Sequence, residues 1–145
     1  MRVYLDVCAY SRLFDDLSQE RIRLEAEVIT TILQLCKDGL WTLVGSDVIN
    51  SEIGKIKDLD KRKKAIEYCG LAKIDCATSD KTIKRAIHLQ DIGFGVFDSM
   101  HIALAEEARV DALITTDDKM ISLAGRANLC LKVINPLKWV KEVLK

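Results

Sequence analysis

Short apolar runs that end near an acidic residue are the feature of this sequence that most constrains its fold. Val3–Leu5 ends at Asp6, and Ala112–Thr115 is followed two residues later by Asp117. Runs this short and this apolar are typical of buried strands. Because helical stretches separate them, the pattern predicts a parallel sheet of an α/β protein, covered by helices on both faces.

The segments between these runs have apolar residues at helical spacings of three and four. Further strands are predicted at Trp41–Gly45 and Leu129–Ile134, whereas residues 72–77 fit either a loop or a short strand. Helices are predicted at 19–38, from Ser46 or Asp47 through Ile56, at 60–70, from Ser79 or Asp80 through Leu89, at 99–109, from 117–118 to about 127, and after Pro136.

Length and composition favour one ordinary globular domain spanning residues 1–145. An Asp at position 6 argues against a signal peptide, and no window approaches the ~18 apolar residues of a membrane span. The five cysteines are scattered and form no C-x-x-C pair. We therefore expect reduced thiols in a cytoplasmic protein with no membrane partner.

Four acidic residues are predicted to meet at one edge of the sheet. Asp6 and Asp117 follow strands, Glu52 lies early in the helix after the second strand, and Asp98 precedes a helical stretch. Ligands of such sheets bind beyond the carboxyl ends of the strands. Taken singly, Asp98 and Asp117 are explained by helix capping, and Glu52 by a solvated helix position.

Asp6 is the hardest of these acids to explain without a ligand. It lies between apolar residues, and a buried carboxylate needs partners, of which a cation is one. Clustered carboxylate oxygens suit Mg²⁺ or Mn²⁺ rather than zinc. Such a site is suited to hydrolysis of a phosphodiester.

A basic segment covers residues 55–85 of a chain whose formal net charge is zero. It holds ten Lys or Arg against five Asp or Glu, an excess of five positive charges. Such a segment suits contact with a polyanion, and a solvated helix face explains it equally well. Lys55 and Arg62 are the candidate substrate-binding residues within it.

Five blocks in order resemble the PIN-domain family, specifically the VapC-like toxin ribonucleases, over essentially the whole chain. The blocks are Val3–Asp6, Ser46–Glu52, Phe97–Ala105, Leu113–Lys119 and Val133–Pro136. The resemblance implies a three-layer α/β/α sandwich with a parallel sheet of four to five strands. It also implies a Mg²⁺- or Mn²⁺-dependent endoribonuclease, in many members the toxin of a toxin–antitoxin pair and a homodimer. The expected partners are therefore RNA, an antitoxin protein and a second copy of the chain.

The family's four acidic positions fall on Asp6, Glu52, Asp98 and Asp117, the candidate catalytic residues. Asp6, Asp98 and Asp117 are the expected metal ligands, with Asp118 as an alternative to Asp117. Thr115 or Thr116 falls where the family often has a hydroxyl near the metal, and both are counted as candidate substrate-binding residues.

The sequence departs from the family after its first Asp. The family commonly has Thr or Ser there, whereas this chain has Val7 and Cys8, with Ser11 as the nearest replacement. The departure motivates a second hypothesis, a catalytically weak or inactive PIN-fold module that binds RNA or protein.

Other functions are less compatible with the sequence. The chain lacks the paired acids that a phospho-acceptor domain needs after the first strand, and it lacks the Gly-x-Gly-x-x-Gly motif that a dinucleotide enzyme has there.

His101 lies three residues after Asp98 on roughly the same helix face. It is a candidate proton carrier, although a structural hydrogen bond is the more usual role of such a residue.

Overall fold

A computed structural model describes residues 1–144, and Lys145 lies outside the described residues. Its five strands form one sheet in the order β3-β2-β1-β4-β5, in which every pairing is parallel. The strands are β1 Arg2–Leu5, β2 Thr42–Ser46, β3 Ile74–Cys76, β4 Ala112–Ile114 and β5 Val133–Ile134. The predicted parallel sheet of four to five strands is confirmed.

Helices cover both faces of this sheet, as in the predicted three-layer sandwich. The helices are α1 Val7–Arg12, α2 Glu20–Lys37, α3 Asp47–Gly54, α4 Leu59–Cys69, α5 Asp80–Ile92, α6 Val96–Glu107, α7 Asp118–Arg126 and α8 Pro136–Val143. One group is formed by α2 and α8, which pack together, and another by α5 and α6 with α3. That residues 1–145 form one domain stays a prediction.

Local sequence signals explain where several helices begin. The Ser46 side chain accepts from the amide of Ile49 and starts α3, and Asn135 accepts from the amide of Leu137 and starts α8. Pro136 occupies the first turn of α8, where its missing N–H costs nothing. These caps fix where the chain turns as it leaves β2 and β5.

Several elements differ from the sequence prediction. The last strand is Val133–Ile134 rather than Leu129–Ile134, because the chain bends at Cys130 and Leu131 before it pairs with β4. The ambiguous residues 72–77 contain the short edge strand β3. Helix α1, which follows Asp6, was not predicted, because six residues are too few to show helical periodicity.

Candidate active site

All four predicted acids line one cavity at the carboxyl edge of the sheet. Asp6 follows β1, Asp117 lies beyond β4, Glu52 is carried by α3 and Asp98 by α6. The cavity has a volume of about 390 Å³. The structure therefore brings together the four acids that were predicted from their positions near the ends of strands and from the family resemblance.

Asp6 is held in place by three donors around its carboxylate. Oδ1 accepts from the amide of Val7 at 2.7 Å, which makes Asp6 the N-cap of α1. Oδ2 accepts from Thr115 Oγ1 at 2.9 Å and from Cys8 Sγ at 3.2 Å. Asp6 is only 6% exposed, so these bonds offset the cost of burying its charge.

Cys8 supplies the polar neighbour that the sequence had led us to seek in Ser11. Its sulfur also lies 3.0 Å from Thr115 Oγ1, so the two side-chain donors to Asp6 Oδ2 contact each other. Burial, followed by the nearby Asp6 charge, raises the pKa of Cys8 to about 12. The sulfur therefore stays protonated at neutral pH and acts as a donor.

Asp117 and Asp118 have different surroundings. Asp117 Oδ1 accepts from the amides of Lys119 at 3.0 Å and Met120 at 3.2 Å, so this acid caps α7 and lines the cavity. Asp118 is bound by both terminal nitrogens of Arg21 at 2.9 and 2.8 Å, and these bonds lower its pKa. Of the two acids, Asp117 is the one that faces the cavity.

Asp98 is not a helix cap, contrary to the sequence prediction. Helix α6 begins at Val96, directly after Gly95, so Asp98 lies within its first turn. Burial, then the negative charges of Asp6 and Asp117, raise the pKa of Asp98 to about 6, although His101 opposes the shift. The acids around this cavity therefore repel one another.

Glu52 is paired with a buried histidine. Its Oε1 lies 2.6 Å from Nε2 of His101, and the same nitrogen lies 3.6 Å from Oδ1 of Asp6. Nδ1 of His101 lies 2.7 Å from the hydroxyl of Tyr4, which lies 2.8 Å from Oγ of Ser46. The hydrogen-bonding role that we favoured for His101 is present, and its partners include one of the four acids.

The candidate substrate-binding residues divide into two groups. Thr116 lines the cavity, and Thr115 lies beneath it, bound to Asp6. Lys55 and Arg62 lie outside the cavity lining. Nζ of Lys55 lies 5.5 Å from the ring centroid of Phe97, the neighbour of Asp98, whereas Arg62 donates to the carbonyl of Ile56 at 3.3 Å.

Arg12, which follows Asp6 closely in the sequence, is the basic residue of the cavity lining. Its Nε lies 3.0 Å from Oε1 of Glu25, a carboxylate with no exposed surface. Oε2 of Glu25 accepts from Asn135 Nδ2 at 2.6 Å and lies 3.4 Å from Nε of Arg21. The sequence analysis did not predict that Glu25 is buried. The available signal was its position beside Ala26, on the apolar face of the predicted helix 19–38.

A hard divalent cation fits this cavity by donor chemistry. Within residues 1–144, no group of three or more His, Cys, Asp or Glu side chains is arranged to hold a metal ion. The lining nevertheless offers carboxylate oxygens, the donors that Mg²⁺ and Mn²⁺ prefer. Burial and the charges of Asp6 and Asp117 raise the pKa of Asp98, and a bound cation would offset those charges.

Solved structures share this architecture. FitAcB from Neisseria gonorrhoeae aligns with a TM-score of 0.59 and 14% identity, over 93% of this chain and 98% of that one. VapBC2 from Rickettsia felis, bound to a DNA fragment from their promoter, aligns with a TM-score of 0.57 and 15% identity, over the same shares. The chain has a PIN-like fold.

At such identities, the PIN-like fold is what the neighbours establish. No protein-family model matches the sequence, and no curated protein does. Among the described residues, no helix is long and apolar enough to cross a membrane. The chemistry of this PIN-like chain has to be argued from its own cavity.

Proposed function

We propose that this protein is a Mg²⁺- or Mn²⁺-dependent endoribonuclease that hydrolyses phosphodiester bonds in RNA. The observation that carries the proposal is the meeting of Asp6, Glu52, Asp98 and Asp117 around one cavity at the carboxyl edge of the sheet. Capping accounts for Asp6 and Asp117, but it does not explain why four acids from four parts of the chain line the same cavity.

The charge of the cavity supports a cation as its ligand. Without one, carboxylates repel each other and the phosphates of a nucleic acid, and burial together with that repulsion raises the pKa of Asp98. Asp6, Asp98 and Asp117 would hold the ion. When bound, the ion would neutralise the phosphodiester and lower the pKa of a water molecule.

Residues of the chain around the ion would have separate tasks. Thr115 and Cys8 orient Asp6 through hydrogen bonds to Oδ2. The backbone amides at the start of α7 fix Asp117. Glu52, held by His101, also lines the cavity and is available to orient the attacking water.

Basic residues near the cavity are candidates for contacts with RNA phosphates. Lys55 is exposed and lies over the Phe97 ring, next to Asp98. Arg62 is partly buried, and its guanidinium donates to a backbone carbonyl. Both features leave it less free to contact RNA. We therefore propose Lys55 as the stronger of the two contacts.

The family resemblance extends the proposal to partners. A toxin of a toxin–antitoxin pair would act in the cytoplasm and bind an antitoxin protein. A homodimer is supported by exposed apolar residues on neighbouring helices, Ile83 and Ile87 on α5 and Val96 and Phe97 on α6. Light scattering on the purified chain tests the dimer, and growth arrest on expression, relieved by Asp98→Asn, tests the toxin role.

Cleavage of a labelled RNA with and without Mn²⁺ tests the central proposal. We expect cleavage in Mn²⁺, none after EDTA, and a loss of at least about 100-fold in Asp6→Asn and Asp98→Asn, the order seen when a group that acts in the transition state is removed. Asp118→Asn is the matched control, because Asp118 is exposed and paired with Arg21. Asp6 and Asp98 variants that cut as fast as wild type would refute the site.

The second hypothesis, an inactive RNA- or protein-binding module, started from Val7 and Cys8. The hydrogen bond from the Cys8 thiol to Asp6 weakens that motive, because a donor is present in spite of the departure. Calorimetric titration with Mn²⁺ separates the two functions. A module with no active centre should take up no Mn²⁺ that depends on Asp98.

A further inference from the structure

We propose that His101 is a positioning residue that holds Glu52 apart from the metal-binding acids, so that Glu52 acts on water or substrate and not as a metal ligand. The inference rests on the proposed nuclease function and deepens it. It divides the four acids into a metal-binding set, Asp6, Asp98 and Asp117, and one carboxylate with a separate task.

The position of His101 between two carboxylates is the first reason. Nε2 lies 2.6 Å from Oε1 of Glu52 and 3.6 Å from Oδ1 of Asp6. One N–H therefore makes a short hydrogen bond to Glu52 while the ring stands beside Asp6. An imidazole in this place keeps a shared ion from lying directly between those two oxygens.

The support behind His101 is the second reason. The imidazole is 1% exposed, and its Nδ1 lies 2.7 Å from the Tyr4 hydroxyl on β1. That hydroxyl lies 2.8 Å from Oγ of Ser46, which accepts from the amide of Ile49 and caps α3. Since α3 carries Glu52, the network ties the central strand and the start of α3 to the carboxylate near its end.

The hydrogen bonds around His101 form one continuous chain from Ser46 to Glu52. When Nε2–H donates to Glu52, Nδ1 accepts from the Tyr4 hydroxyl and that hydroxyl accepts from Ser46, so each group has one role along the chain of bonds. Burial raises the pKa of Tyr4, so its hydroxyl keeps its proton and stays a donor. A histidine whose second ring nitrogen is held by a hydrogen bond keeps one ring orientation toward its first partner.

The Tyr4 hydroxyl offers a perturbation that leaves the packing almost unchanged. Tyr4→Phe keeps the ring, which stands edge-on to His101 with centroids 5.6 Å apart, and removes the oxygen that holds Nδ1. His101→Gln retains an N–H donor toward Glu52, whereas His101→Leu retains none. Together with Glu52→Gln, these variants separate the hydrogen bond from the bulk of the side chain.

Two measurements test the inference on wild type and these variants: Mn²⁺ binding by calorimetry, and kcat and KM for RNA cleavage. We expect Glu52→Gln and His101→Leu to change the Mn²⁺ dissociation constant less than about threefold, while Asp98→Asn weakens it tenfold or more, the order reported for groups around metals. We expect kcat to fall at least tenfold in His101→Leu with KM nearly unchanged, and His101→Gln and Tyr4→Phe to fall between this variant and wild type.

Two results would overturn the assignment. If the Glu52→Gln variant bound Mn²⁺ as weakly as the Asp98→Asn variant, Glu52 would belong among the ligands. His101→Leu that cleaves at the wild-type rate would show that His101 has no positioning role. A wild-type chain that neither binds Mn²⁺ nor cleaves RNA would instead refute the proposed function, and the inference with it, so the two failures are distinguishable.

Discussion

Replacing Asp98 with Asn is expected to stabilise the metal-free protein while it weakens the binding of a divalent cation. The carboxylate is half-buried beside other acids. Burial and those neighbouring charges raise its pKa from the ordinary 3.8 to about 6. At neutral pH, the folded chain must therefore hold a charge that its surroundings disfavour. Asn has nearly the same shape and no charge, so the substitution removes that unfavourable energy.

The size of the effect follows from the pKa. Each pH unit of difference between folded and unfolded chains is equivalent to about 1.4 kcal/mol, which gives an upper limit of about 3 kcal/mol. Because Asp98 is partly exposed, solvent screening reduces the expected gain to roughly 1–2 kcal/mol. In a domain of this size, that gain raises Tm by about 3–6 °C.

The sign of the pH dependence is fixed as well. A carboxyl whose pKa is higher in the folded chain favours folding in its protonated form. That contribution is full below about pH 4 and is lost as the pH rises through about 6. The stability difference between Asp98→Asn and wild type should therefore be close to zero at about pH 4 and complete above about pH 7.

Thermal or urea unfolding in EDTA at both pH values measures this difference. Asp91→Asn is the matched control, since Asp91 is exposed and lies outside the cavity lining. In excess Mn²⁺ the order should reverse, because an ion that binds only the folded state stabilises wild type more. A lower Tm for Asp98→Asn in EDTA, or a gain that is equal at both pH values, would refute the reasoning.

Three further predictions concern residues around the cavity. Cys8 should react with a thiol reagent at pH 8 far more slowly than exposed Cys130, because burial raises the pKa of Cys8 to about 12; mass spectrometry of the labelled chain measures this, and equal labelling would contradict it. Glu25→Ala should lower the free energy of unfolding in urea by about 3 kcal/mol, since it removes the buried carboxylate that half-buried Arg12 and exposed Arg21 share; a loss within about 0.5 kcal/mol would show that the network contributes little. Asp118→Asn should leave the Mn²⁺ dissociation constant unchanged in calorimetry, since Arg21 holds that acid outside the cavity lining; a tenfold loss would make Asp118 the ligand in place of Asp117.

The part of the site that follows strands was predictable from the sequence. Asp6 and Asp117 follow short apolar runs, and parallel strands end at a common edge, so their meeting required no knowledge of side-chain packing. The register confirms it, since Leu5 at the end of β1 is paired with Ile114 at the end of β4.

The part carried by helices was less accessible to sequence reasoning. Periodicity identified the helix that carries Asp98 but placed its start three residues late, because Val96 and Phe97 are exposed apolar residues and do not fit an apolar face. The missed helix α1 and the contact between Arg12 and Glu25 depend on how distant segments pack. Local propensity does not carry that information.

The surroundings of the four acids indicate which of them depends most on a cation. Three have protein donors: Asp6 has Thr115 and Cys8, Asp117 has helix amides, and Glu52 has His101. For Asp98, burial and neighbouring charges instead favour the proton. A cation must therefore displace that proton when it binds below the pKa of Asp98.

This competition predicts that Mn²⁺ affinity increases with pH up to about 6–7 and then levels off, because ligand carboxyls must lose their protons first. Calorimetry at about pH 5, 6 and 7 measures the affinity, and buffers of different ionisation enthalpy count the protons released. In Asp98→Asn the remaining binding should be weaker and should lose most of this slope. An affinity of the wild type that stays constant across the range would show that Asp98 does not share its site with the ion.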